Sequence, residues 1–456
     1  MKVSEFAKLI GKEAYNFKER EIKGFSIDTR TIKEGEMFIA IKTDRDDGHR
    51  FIEDAKRKGA CSYLLSYKRR SIDLDAFENL FFVGDTVQTI QKAAKNLVSK
   101  KVSDSVAITG SAGKTTTKEL TYHIFKSYFK TRSTLGNFNN TLGLPLSILN
   151  TVDEKIDYFI AELGMSYKGE IKRLIDILNP NIRVWLNVYP AHIGNFGSIE
   201  EVRDAKAEIL LNQDPDTVIV YNYDDILVKS KVDRAIGVKY SFGKADGADL
   251  KIKKCETGLN SSILVLEFEG KDIVLKSSLV GDFNCYNIAA SVLTALLANV
   301  SIEKIKESVE SFVPLENRGR FVIKDRILLY NDCYNSNPEA LKRIISHFSS
   351  VEHKGRKVAI IGDMLELGGF SEEMHREIGK LLNKSDFDLI ITWGKDARFI
   401  NSEVEGKAKF HFEKNINVAE EINNIVKEGD LIIVKASRGM KGEVIIDEII
   451  KKWGEK

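Results

Sequence analysis

Apolar and polar positions along this chain change texture twice. Over residues 1–100 the runs are short and mixed. Phe25-Ser26-Ile27 leads into the polar Asp28-Thr29-Arg30, the pattern of a strand opening into a loop. Residues 36–41 predict a second strand, and the Asp46-Asp47-Gly48-His49 cluster after it is turn chemistry. Helical spacing then appears over 51–58 and 87–98.

From about residue 102 the order becomes strand, loop, helix. Residues 106–109 form a short apolar run, a glycine-bearing loop follows, and a helix is predicted from Lys114 with Leu120, Ile124 and Tyr128 on one face. Further apolar strands are predicted at 158–161, 184–188 and 218–220, with helical stretches over 168–178 and 199–211. Alternating strands and helices with apolar strands argue for a parallel sheet covered on both faces. Residues 263–268 and 273–279, around Glu269-Gly270-Lys271-Asp272, predict a hairpin excursion. A buried helix over 286–297 closes the region. A third texture begins near Pro314. Strands at 327–330, 358–361, 389–391 and 431–434 are each followed by a helical pattern, and Asn337-Pro338 reads as an N-cap with Pro at N1. The fold class is therefore α/β in three domains, divided at 1–101, 102–313 and 314–456.

Composition narrows this picture. Hydrophobic residues make up 43% of the 456 and charged residues 30%, a globular balance that excludes wholesale disorder. Sixty-nine Lys and Arg against 67 Asp and Glu leave a net charge of +2, so there is no bulk electrostatic claim on nucleic acid or an anionic membrane. The most apolar run, 288–300, is broken by Ser291, Thr294 and Asn299, and the first residues lack a signal-peptide core. A soluble, cytoplasmic protein with no membrane insertion and no nucleic-acid partner is expected. Cys61, Cys255, Cys285 and Cys333 form no CxxC pair; each reads as a small buried hydrophobe, and neither a disulfide nor a zinc site is expected.

The candidate chemistry starts at Thr109-Gly110-Ser111-Ala112-Gly113-Lys114-Thr115-Thr116, between a strand and a helix. Successive backbone N–H groups there can cradle phosphates at a helix N-terminus. Lys114 would reach the β- and γ-phosphates of ATP, and the Thr115 hydroxyl would hold Mg²⁺. A plain glycine-rich turn is the rival, disfavoured because strand, loop, Gly-Lys-Thr and helix appear in order. Ile108 stands where the general phosphate loop has glycine, so the form is the compressed TGxxGKT. Glu162 ends a strand, where a carboxylate could bind Mg²⁺ or be merely solvated. By residue type alone, His192 is a loop histidine and Lys206 a surface lysine.

The compressed loop resembles that of the Mur ligase and folylpolyglutamate synthase superfamily, whose members use ATP to join a carboxylate to an amine. Segments along the whole chain carry the resemblance further. They are 26–30; Asp47-Gly48-His49; Asn137-Phe138-Asn139-Asn140 with Gly143-Leu144-Pro145; Glu162-Leu163-Gly164-Met165; 187–192 with Phe196-Gly197-Ser198; 332–338; 363–368; and Lys435-Ala436-Ser437-Arg438. In that order they are similar to the family branch that adds D-alanyl-D-alanine to UDP-N-acetylmuramoyl-tripeptide in peptidoglycan synthesis. Departures are Lys42-Thr43 where glycine is common, Phe283 where histidine is common, and Ala436 where glycine is usual.

The resemblance implies an N-terminal domain for the UDP-sugar peptide, with contacts from Ser26, Thr29 and Arg30. It implies a central ATP-binding domain and a C-terminal Rossmann-like domain. Nucleotide contacts would come from Gly110, Ser111, Ala112, Gly113, Lys114, Thr115, Thr116, Asn287, Arg320 and Asp332. Two Mg²⁺ ions would be held by Thr115, Glu162, His192 and a carbamylated Lys206, and Lys114, His192 and Lys206 would be the catalytic set. A monomer is expected. Another amide ligase of the superfamily, or a nucleotide-binding module without the chemistry, stays open.

Overall fold

The computed structural model describes residues 1–44, 46–66, 73–190 and 193–454, so His192 lies outside the described residues. By compactness the chain divides into two units. One comprises Met1–Ile108, Tyr128–Arg183 and Ile209–Thr217; the other comprises Thr109–Ser127, Val184–Glu208 and Val218–Lys456. The architecture is α/β with mainly parallel strands.

In the first unit four short parallel strands, Phe25–Ser26, Met37–Ile39, Ser62–Leu65 and Leu80–Phe82, pair in sequence order. Phe38, Ile52, Tyr63 and Phe77 build their core. The helix Thr86–Lys101 begins where the Asp85 side chain accepts the Gln88 N–H, removing an otherwise orphaned donor. The strand Val102–Thr109 then pairs in parallel with Ile156–Glu162, which pairs with Thr131–Ser133. That register sets Ile108 opposite Glu162. The Asn150 amide exchanges two hydrogen bonds with the Phe25 main chain, at 2.9 and 3.0 Å, and so ties the N-terminal strands to the helix Gly143–Thr151.

In the second unit Val218–Asn222, Val238–Gly243 and Leu250–Thr257 run parallel. The expected hairpin, Ser262–Phe268 and Lys271–Ser277, continues this order antiparallel. The helix Asp282–Leu297 is buried from Asn284 to Ala295 apart from Tyr286. A six-stranded sheet follows, ordered Arg320–Lys324, Leu328–Asp332, Leu431–Lys435, Lys357–Gly362, Leu389–Trp393, Ala408–Phe412, with only the first pair antiparallel. Its strands Lys357–Gly362, Leu389–Trp393 and Leu431–Lys435 are buried throughout because both faces are covered. Val358, Ile360 and Ile432 enter one core, while Ala359, Ile361 and Ile433 enter the other. The Asn337 side chain accepts the Ala340 N–H, with Pro338 at N1 of the helix Pro338–Ser350, as expected.

Three expectations need correction. The helix from Lys114 closes at Phe125, so only Leu120 and Ile124 share its buried face; Tyr128 lies beyond its end and is exposed. Cys255 and Cys285 are disulfide-bonded, with Cα atoms 6.3 Å apart. The hairpin returns the chain from the strand Leu250–Thr257 to the helix Asp282–Leu297, and folding so erases their 30-residue separation. Cys61 is only half-buried, with its Sγ donating to Gly35 O at 3.1 Å; Cys333 is buried, as read, and burial pushes its thiol up to about 12. Strands Thr131–Ser133, Val238–Gly243, Leu250–Thr257, Arg320–Lys324 and Ala408–Phe412 were not legible; the last exposes four of its five residues. Among the described residues no helix is long and apolar enough to cross a membrane.

The disulfide yields a direct expectation. Thiol titration of the denatured, unreduced chain should count two thiols, Cys61 and Cys333. Cys255→Ser should lower the unfolding free energy by about 3.6 kcal/mol for a loop of this length. Four titratable thiols in protein purified without reductant would remove the bond.

Candidate functional site

The phosphate loop is held from one side by the segment that follows the strand Ile182–Trp185. Leu186 N–H donates to Thr109 O at 2.9 Å and Ser111 N–H to Asn187 O at 3.1 Å. The Asn187 amide pairs with both main-chain groups of Ala112, accepting at 2.9 Å and donating at 3.1 Å. The Ser111 hydroxyl donates to Tyr189 O at 3.0 Å and accepts Tyr189 N–H at 2.8 Å. Six hydrogen bonds thus fix Thr109, Ser111 and Ala112 of the loop, the preorganisation an anion cradle needs.

The loop ends at Gly113, which takes φ +84° as N-cap of the helix Lys114–Phe125. A Cβ there would stand 2.2 Å from Asn287 Oδ1, so only glycine lets Asn287 approach. Asn287 is buried. Its Oδ1 accepts the Thr117 hydroxyl at 3.3 Å and its Nδ2 donates to Asn284 Oδ1 at 2.9 Å. In this state it is a brace under the loop. Thr115 is buried and Thr116 partly so; with Glu119, Phe312, Pro314, Leu315 and Arg318 they line a cavity.

Lys114 and Lys206 converge on one acceptor. Lys114 Nζ donates to Gly110 O at 2.7 Å and Lys206 Nζ donates to the same oxygen at 3.1 Å. Lys206 is 1% exposed, which rules out the surface-lysine reading. Burial, and secondarily the charge of Lys114, holds its amine well below the ordinary lysine range. Lys206 lies on the inner face of the helix Ile199–Lys206, whose N-cap Ser198 accepts the Glu201 N–H.

Other predicted residues of this unit lie in its six-stranded sheet. Asp332 ends its strand opposite Lys435 in register, and its Oδ2 accepts Lys435 Nζ at 2.5 Å. Lys435 also donates to Asn335 O at 3.0 Å. Arg320 heads the strand Arg320–Lys324. The Arg318 guanidinium stacks 3.5 Å from the centroid of Tyr334.

In the first unit Glu162 is 1% exposed at the end of its strand. Its Oε1 accepts the Asn139 amide, while Oε2 is buried with no hydrogen-bond partner among the described residues. A buried carboxylate oxygen without a donor costs free energy unless something positive meets it, so this atom suits a cation. Ser26 ends the first strand, its Oγ donating to Asp28 O at 3.2 Å, and Thr29 lies in the loop that follows. Thr29 O accepts Lys58 Nζ at 2.6 Å, and Arg30 forks onto Asp28, which that contact lowers to about 2. Arg30 is therefore committed locally in this state. The Asp-Gly-His cluster is structural: His49 is buried, accepts Ser66 N–H at Nε2, and its Nδ1 meets Asp47 at 2.7 Å.

Asn139, Asn187, Arg318 and Lys435 were missed as site residues. Asn139, Asn187 and Lys435 stand in segments that carried the resemblance, but nothing in the residues themselves marked a role. Arg318 had no signal.

Residues 21–101 match the description "Mur ligase family, catalytic domain", 108–295 "Mur ligase middle domain", and 318–438 "Mur ligase, glutamate ligase domain". The UDP-N-acetylmuramoyl-tripeptide–D-alanyl-D-alanine ligase of Bacillus subtilis is 32% identical over 447 residues, covering 95% of this chain and 94% of that one. The crystal structure of the MurF ligase of Thermotoga maritima in complex with ADP has TM-score 0.82 at 30% identity, covering 94% of this chain and 97% of that one. A MurF structure from Acinetobacter baumannii has TM-score 0.87 at 25% identity, covering 99% and 98%.

Proposed function

The chain belongs to the Mur ligase family, and we propose that it is the family's D-alanyl-D-alanine-adding ligase of peptidoglycan synthesis. It joins that dipeptide to UDP-N-acetylmuramoyl-tripeptide with ATP as co-substrate. The observation that carries this reading is the end-to-end match to ligases of that specificity, over 95% of the chain.

The tripeptide carboxylate attacks the γ-phosphate of ATP, the bond to the bridging oxygen breaks with ADP as leaving group, and an acyl phosphate forms. The dipeptide amine then attacks the acyl carbon, and phosphate leaves. An anion attacking a polyanion is electrostatically opposed, so fixed positive charge lowers the barrier. Lys114 supplies it at the β- and γ-phosphates by leaving Gly110 O, and Arg320 adds a second charge. The braced loop, 110–116, holds the phosphates with main-chain N–H groups. Asn287 supports that loop, and Asp332 orients the nucleotide.

Thr115, Glu162, His192 and Lys206 would hold Mg²⁺, which supplies charge neutralisation when bound. The unpartnered Glu162 Oε2 supports this set. Burial lowers the Lys206 amine well below the ordinary lysine range, which favours the unprotonated form that can take up CO₂ as a carbamate and become an anionic oxygen donor. Ser26, Thr29 and Arg30 bind the uridine nucleotide. Residues 1–101, 102–313 and 314–456 act as the three domains, and the enzyme works as a cytoplasmic monomer.

ADP formation should require both organic substrates. The check is phosphate release with purified UDP-muramoyl-tripeptide, with and without D-Ala-D-Ala. Equal turnover with the dipeptide omitted, or with glutamate in its place, rejects the assignment.

A further inference from the structure

Tyr189 sits in the braced segment described above, and both its main chain and its side chain are engaged. The main chain exchanges two hydrogen bonds with the Ser111 hydroxyl of the phosphate loop, at 2.8 and 3.0 Å. The phenol oxygen accepts from Arg343 Nη2 at 2.7 Å, and the guanidinium lies 4.9 Å from the ring centroid. Arg343 is carried by the helix Pro338–Ser350, where Glu339 one turn earlier accepts its Nε at 3.0 Å. That helix starts directly after the Asn335-Ser336-Asn337 segment. Five residues after Tyr189 the same segment meets the six-stranded domain again. A Cβ at Gly194 would lie 2.8 Å from Gly368 N and one at Gly368 2.9 Å from Gly194 Cα, a main-chain contact only two glycines permit.

We infer that Tyr189 and Arg343 form a latch by which the C-terminal domain sets the phosphate loop, so that acyl phosphate forms only when that domain is seated. The physical argument is the shared residue. One residue bonds the loop through its backbone and the C-terminal helix through its phenol, so a shift of the helix pulls on Ser111. Arginine suits the post, since its planar fork holds Tyr189 and Glu339 together. Tyr189 and Arg343 act here as positioning residues, with no contact to reacting atoms. The inference rests on the ligase reading above.

The test measures ADP and ligated dipeptide in parallel for the full chain and for Tyr189→Phe, Arg343→Met and Arg343→Lys. Tyr189→Phe removes one oxygen and keeps the ring, so folding is not at issue. Both Tyr189→Phe and Arg343→Met should lower kcat for ligation about tenfold and raise ADP formed per ligated product well above one. Affinity for ADP alone should stay within twofold, and Arg343→Lys should recover part of the coupling. A purely structural role predicts loss of all readouts together with a lowered Tm. Parent-like ratios and rates in Tyr189→Phe and Arg343→Met, or weakened ADP binding with the ratio still at one, would overturn the latch. If the parent chain itself makes no ligated product, the ligase reading fails instead.

Discussion

Lys206→Met is expected to lose about 10³-fold in kcat while unfolding no more easily than the parent chain. The two halves of that result have one cause. The Lys206 amine is fully buried, donates to Gly110 O, and shares that oxygen with the Lys114 ammonium. Burial and the neighbouring charge both oppose its protonation. Its pKa is depressed in the folded chain, so between the folded and unfolded values the unfolded chain binds more protons. The parent's stability therefore rises with pH in that window, and at neutral pH the lysine costs stability. Methionine fills the same volume without that penalty. Denaturant melts of both proteins, without substrate and in CO₂-depleted buffer, should show the methionine variant at least as stable at pH 7. Its advantage should shrink as pH rises toward the ordinary lysine value. Lys206→Arg should be as inactive as Lys206→Met, because a permanent cation cannot become an oxygen donor. Full activity in Lys206→Arg would end the carbamate role, and a strongly destabilised methionine variant would end the argument from burial.

Lys114→Met should cost about 10²- to 10³-fold in turnover with the fold intact. In the absence of nucleotide its Nζ caps Gly110 O, a contact within the loop itself. On the proposed mechanism the ammonium exchanges that carbonyl for phosphate oxygens when ATP binds, a stronger, charge-assisted contact. Methionine keeps the stem that packs along the loop and deletes only the charge. The same change removes the like charge facing Lys206, so the Lys206 amine should become easier to protonate. Effects at 114 and 206 are then coupled, and the double variant should lose less than the product of the two single losses. Steady-state rates of the three variants decide the point. Near-parent turnover in Lys114→Met would show that the loop does not act on phosphate.

The strand, glycine-bearing loop and helix around 109–116, the domain order and the helix start at Asn337-Pro338 were legible because each is a local pattern. Glycine, lysine and threonine at fixed spacing need only a strand before and a helix after. The six-stranded sheet was half legible for the same reason: its central strands are apolar on both faces, whereas the edge strand Ala408–Phe412 exposes most of its residues and carries no such signal. Family resemblance pointed to Glu162 and Lys206, but the residues alone left Glu162 undecided and made Lys206 a surface lysine.

What the sequence by itself determined was the order of elements and the chemistry available at each, since propensity, capping and periodicity act over a few neighbouring residues. Only the tertiary structure decided which of those groups lose water and which meet. Burial took Lys206 out of solvent beside Lys114, holding its amine well below the ordinary lysine range, and left one oxygen of Glu162 without a donor among the described residues. Chain return joined Cys255 to Cys285 against the expectation of four free thiols, and a 154-residue separation closed to one hydrogen bond between Tyr189 and Arg343. Desolvation and long-range contact depend on what packs from elsewhere in the chain, and no local pattern encodes that.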